Sequence, residues 1–154
     1  MQNAISEYLV TLIQGLKDSN DKSLFGEVVD YEPAEMKFES YPYGYLVPKE
    51  QPGDYATTAQ NDRREGFTLY ICIPLEDVGL PRNQAFQNMR TLTDAVRNAV
   101  DETEDLGGLT ADSNKSRVMS VLPVSSGWTI VESGNGETLL SALDIIVKYT
   151  YNFR

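Results

Sequence analysis

The stretch YATTAQNDRREGFTLYICIPLED, residues Tyr55 to Asp77, passes without a break from polar turn residues into an alternating apolar run. Phe67, Leu69, Ile71 and Ile73 alternate with Thr68, Tyr70, Cys72 and Pro74, and a period of two marks a strand with one face on a core. Pro74 has no N–H for a ladder, so it ends the strand or lies on an edge. Upstream, KEQPGDYATTAQND, Lys49 to Asp62, holds almost no apolar side chain and reads as a long loop or an extended hairpin arm. Arg63 and Arg64 stand at its foot.

Working outward, Ile5, Tyr8, Leu9, Leu12, Ile13 and Leu16 recur at spacings of three and four, which predicts an N-terminal helix ending near Gly15 to Ser19. LFGEVVDY, Leu24 to Tyr31, reads as a short strand. YPYGYLVP, Tyr41 to Pro48, reads as a second, with Tyr41, Tyr43, Tyr45 and Val47 on one face and pairing that starts at the edge or after Tyr43 because of Pro42. Such a tyrosine stripe suits amphipathic packing at a rim or an intersubunit surface.

Downstream, Pro81 suits a first helical turn, and Ala85, Met89, Leu92, Val96, Ala99 and Val100 form a stripe over about five turns. DLGG, Asp105 to Gly108, supplies the stop. RVMSVLPV and GWTIVE read as two extended runs separated by Ser125, Ser126 and Gly127, and Asn135-Gly136 signals a hairpin. The last strand places Leu143, Ile145, Val147, Tyr149, Tyr151 and Phe153 on one face. Strands grouped on either side of one long helix predict an α+β fold, a mainly antiparallel sheet with the N-terminal helix and the long central helix packed on one face. A length of 154 residues fits one domain, 1–154, since such a chain buries roughly 70% of its unfolded surface.

Composition narrows the chemistry. Thirteen basic against 23 acidic side chains give a formal charge of −10, which repels polyanions and disfavours conventional DNA binding. No apolar run approaches the ~20 residues of a bilayer span, and MQNAISEYLVTLIQGLKDSN lacks a basic n-region and a cleavage-like site. Without histidine, Ser-His-Asp and Cys-His arrangements are excluded, and Cys72 reads as a half-buried strand residue rather than a ligand or nucleophile. Phosphate-binding glycine motifs are absent; GNG at 134–136 is a turn. DETEDLGG lacks the ligand order of a calcium loop, and Glu76 and Asp77 in ICIPLED have no nearby lysine for a metal nuclease. The expectation is a non-enzyme with no cofactor and no metal. Trp128, the single tryptophan, reads as core or sheet-edge packing, or as a binding hot spot if its strand is exposed.

Taken in order, VVDYEPAEM, YPYGYLVPKE, DYATTAQNDRREGFTLYICIPLED, the long helix and IIVKYTYNF resemble the tail terminator, or tail completion, proteins of long-tailed bacteriophages. In that family a "YEP" turn and a short "YP" strand precede a polar arm that leads through Asn-x-Arg into a strand like the one from Arg64 to Pro74. The resemblance spans about Val28 to Phe153. It implies an α+β subunit that assembles with itself into a ring, usually a hexamer, on the end of the tail tube. The ring stops tube polymerisation and docks to the head connector or neck, and DNA passes through without specific binding. The implied location is the head-proximal end of the virion tail, after assembly in the host cytoplasm, with no membrane partner. Under this resemblance Tyr55, Asn61, Arg63, Arg64 and Glu65 form the subunit or tube interface: Tyr55 as an aromatic contact of the arm, the arginines and Glu65 anchoring its base by charge pairing. The alternative is an exposed hairpin whose arginines solubilise a strand edge. The loop from Leu106 to Lys115 and the SSGW segment have no counterpart in the pattern, so contractile and non-contractile tails both stay open. Other readings are a head-side neck or stopper protein, and a small monomeric module that binds through the tyrosine face and Trp128.

Overall fold

The computed structural model describes residues 1–49, 61–75, 81–133 and 136–151. The arm with Tyr55, the acidic pair Glu76 and Asp77, most of the GNG turn and Phe153 lie outside the described residues. Helix α1 (Gln2–Gln14) buries Ile5, Leu9 and Ile13, one face at helical spacing. The Gln14 amide fastens its end to the sheet, with Oε1 accepting from the Val28 N–H at 2.8 Å and Nε2 donating to the Phe25 carbonyl at 3.4 Å. Helix α2 (Arg82–Thr103) follows Pro81 and buries Ala85, Met89, Leu92, Val96 and Val100. It stops one turn before the glycines, where Glu104 takes φ +53°.

Among the described residues, six strands form one sheet, β1 (Glu27–Val29), β2 (Tyr43–Lys49), β3 (Asn61–Pro74), β4 (Thr110–Ala111), β5 (Ser116–Ser133) and β6 (Gly136–Tyr151), in the order β1-β2-β3-β6-β5-β4. Only β1 and β2 run parallel; the other four pairings are antiparallel. This is the α+β, mainly antiparallel architecture read from the sequence. Both helices pack on one face, over Phe67, Leu69, Ile71, Leu139, Leu143, Ile145 and Val147, all at or near zero exposure. Each such side chain contributes about 1.5–3 kcal/mol of transfer free energy.

Four readings are corrected, the last of them on Tyr41. The strand expected over Leu24 to Tyr31 is only three residues long, because Phe25 plugs the core and Gly26 lies so close to Ser40 that a Cβ there would sit 2.8 Å from the Ser40 side chain. RVMSVLPV and GWTIVE are one strand, because irregularities at Val118/Ser120 and Ser125/Gly127 absorb the break, with Gly127 at φ +109°. Cys72 is fully rather than half buried.

That burial comes from a second, smaller core on the sheet face away from the helices. The segment after β1 folds across β2, so that Phe38 stacks on Tyr43 with ring centroids 3.7 Å apart and Tyr41 meets Phe38 edge-on at 5.8 Å. Tyr43, Tyr45 and Cys72 are buried beneath it. The tyrosine stripe is therefore packing, and Tyr41 precedes the strand instead of belonging to it.

At the other side of the sheet β4 covers only Ser116 and Arg117 of β5. The Val121 N–H points away from β6, donating to the Glu104 carbonyl at 3.0 Å. Strand alternation then turns Pro123 to the same outer side, where its missing donor costs the β5–β6 ladder nothing. Among the described residues no helix is long and apolar enough to cross a membrane.

Candidate assembly site

The register of the central strands sets the geometry around the two arginines. Lys49, the last residue of β2, lies opposite Gly66, whereas β3 begins five residues earlier and stays paired with β6 from Asn61↔Tyr151 to Glu65↔Val147. Among the described residues, the ladder partner of Asn61 to Glu65 is β6. The strand extends into the foot of the arm because β6 supplies a continuous partner.

Alternation splits the charged run between the faces. Arg63 and Glu65 share the helix side with Phe67. The Arg63 guanidinium carbon stands 4.7 Å from the centroid of the Tyr151 ring, within cation–π range. The Tyr149 hydroxyl donates to Glu65 Oε1 at 3.4 Å. Burial, and then the neighbouring Glu65 carboxylate, raise the Tyr149 phenol above its ordinary value, while Arg63 pulls it back. Arg63 and Tyr151 also border an open hollow of about 640 Å³ with Asp112, Ser113 and Lys115. The turn that brings Lys115 there uses left-handed backbone at Asp112, Ser113 and Asn114 and is tied by Ser116 Oγ donating to Asp112 at 2.9 Å and Thr110 Oγ1 to Asn114 at 3.0 Å.

Arg64 faces the opposite way, directly across from Lys148. Like charges at opposed positions repel by a few tenths to about 1 kcal/mol. Exposed Arg117 on β5 and exposed Asp62 on β3 both lie across from Thr150, next in line on the same face, and Lys49 of β2 adds a further cation there. Lys49 pairs with Asp144 at 2.7 Å, and Thr68 Oγ1 donates to the other Asp144 oxygen at 2.8 Å. Chemically, this end of the sheet offers guanidinium and ammonium groups to carboxylates and backbone carbonyls, which is recognition rather than bond chemistry.

Of the anticipated interface residues, the fold brings Arg63 and Glu65 together and sets Arg64 on the other face. Asn61 is fixed only by its place opposite Tyr151, and Tyr55 lies outside the described residues. Tyr149 and Tyr151 were missed as members of this site; their alternation in KYTY and the length of the last strand were the available signal. Trp128 is 60% exposed, packed edge-on against Phe86 with centroids 4.9 Å apart. No family model matches this chain, and no curated protein matches it.

Proposed function

We propose that this chain is a ring-forming subunit that caps the tail tube of a long-tailed phage, stops its growth and offers a docking face to the head connector. The ordered motifs from Val28 to Phe153 support this reading. So does one observation, that the strand leading out of the polar arm is anchored along β6 as far as Asn61 and carries Arg63, Arg64 and Glu65 at the foot of the arm. Capping then works by complementary surface: the arm reaches the neighbouring subunit or the tube from an anchored base, and no bond is made or broken. The net charge of −10 suits a passage that DNA crosses without adhering. Against a monomeric module binding through its tyrosine face stands the burial of Tyr43 and Tyr45, at 5% and 6% exposure.

Light scattering of the purified protein, alone and mixed with tail tubes, together with electron microscopy of tube ends, tests the proposal. A ring-sized species or a cap at one tube end is expected, and the doubly substituted Arg63→Ala, Arg64→Ala chain should fold yet fail to cap. A protein that ignores tubes but binds the connector would turn the reading to a head-side neck protein. One that stays monomeric with both would end it.

A further inference from the structure

Among the described residues, the two most exposed aromatic side chains lie at opposite sides of the sheet. Tyr31, 59% exposed, stands two residues beyond β1, and Trp128, 60% exposed, lies on β5. Their surroundings carry opposite charge. Trp128 closes one side of a cleft of about 280 Å³ against α2, with Met89 at its floor and Arg90 and Arg97 along its wall. That is at the lower limit of the ~300–1,000 Å³ typical of small-molecule pockets and of a size for a side chain. Both arginines are exposed, and neither has an ion pair among the described residues; Asp94 lies between them, leaving one net positive charge. Tyr31 is flanked by exposed Asp30, Glu32 and Glu35, against one exposed Lys37. Asp30 accepts a long hydrogen bond from Ser6 at 3.4 Å, and Glu32 and Glu35 have no ion pair among the described residues.

Net charge disfavours contact of either patch with its own copy, the cleft being net positive and the turn net negative. Each can meet the other. We infer that the acidic, tyrosine-tipped turn Asp30–Glu35 of one subunit docks into the Trp128 cleft of a second copy, with its carboxylates on Arg90 and Arg97. The arginines stand two turns apart, about 10.5 Å along α2, and offer two separate guanidinium groups to the carboxylates of the turn, Glu32 and Glu35 among them. Tyrosine, tryptophan and arginine are the residue types that dominate interface energetics. Side-chain docking also fits this edge better than strand addition, since Pro123 and the bulged backbone of β5 interrupt its outer donors. A contact between two different faces of one chain is head-to-tail, the kind that closes into rings. The inference rests on the ring reading and supplies its subunit contact.

The experiment uses the full chain and two charge-swapped variants, R90E with R97E and E32K with E35K. All four positions are exposed, so folding is checked by urea unfolding alone. Self-association is read by light scattering and by emission of the single tryptophan, which shifts to the blue as Trp128 leaves water. The wild type should associate with that shift. Each variant alone should associate roughly a hundredfold more weakly, as like-charge juxtaposition at an interface costs several kcal/mol. An equimolar mixture should recover, because alternating subunits restore opposite charges at every contact of an even-numbered ring. Variants that associate like the wild type would overturn the inference and leave the ring reading standing, with subunits meeting elsewhere. Loss in both variants without recovery on mixing would also overturn it. A wild type monomeric in solution and absent from tube ends would end both. A monomeric wild type whose tube capping is lost only with R90E and R97E would assign the cleft to the tube protein instead.

Discussion

Replacing Phe38 by alanine opens the smaller core without touching the larger one, and Cys72 reports the opening. Phe38 stacks on Tyr43 at 3.7 Å, and Tyr43 lies directly across from Cys72 in the β2–β3 ladder. A fully buried Phe→Ala change costs ~3–5 kcal/mol; Phe38 is only partly buried, so about 2 kcal/mol is expected, including ~0.5–1.5 kcal/mol from the ring pair itself. In the closed state the thiol has no exposure, and burial pushes it up from 9.0 to about 12, making the thiolate about a thousandfold scarcer than in an exposed cysteine. Labelling must therefore proceed through local opening, whose population sets the rate when reclosing is fast. A cost of about 2 kcal/mol confined to that opening multiplies the rate by roughly 30. The assay is labelling by a thiol-reactive disulfide under native conditions, with urea unfolding run in parallel. A Phe38→Ala protein that loses stability yet labels at the wild-type rate would refute the idea that this segment gates the second face independently.

Alkaline pH should weaken the same region. Tyr45 is raised by burial to about 12, so the folded state holds a proton that the unfolded chain releases near 10; stability is intact below about pH 10 and falls as pH rises toward 12. Cys72 adds to the fall from about pH 9, and Tyr45→Phe should flatten the upper part of the curve in pH-dependent urea unfolding. At the arm's foot, Arg63→Ala should raise the Tyr149 phenol further and Glu65→Gln should lower it, because the two charges act on it in opposite directions; ultraviolet titration against a Tyr149→Phe control reads both signs. Gly26→Ala should cost about 1–3 kcal/mol through overpacking against Ser40 and the Tyr41 backbone, visible as a lower urea midpoint with an unchanged slope.

Helix α2 and strand β3 were legible because each states its period plainly, 3.6 residues from Ala85 to Val100 and two from Phe67 to Ile73. The cover over the second face was not, since Met36, Phe38 and Tyr41 follow no regular spacing and their burial depends on how the chain crosses β2. Nor was the unity of β5, because Ser125 to Gly127 looks like a loop until β6 pairs on both sides of it. At the candidate site, alternation already separates Arg64 from Arg63 and Glu65. What the chain could not reveal locally was that β3 reaches Asn61, a length set by a partner strand far away.

That distance has a bearing on how the protein comes to be folded. Every residue of β3 pairs with a residue of β6 some 60 to 90 positions later, so the central strand is made long before the strand that completes it. The β5–β6 hairpin can zip within microseconds of leaving the ribosome, but Phe67, Leu69, Ile71 and Ile73 must wait for it with only β2 beside them. Folding should accordingly be slow for the chain's size. The nascent N-terminal half, with a sticky half-sheet on display, is where aggregation or chaperone capture would begin.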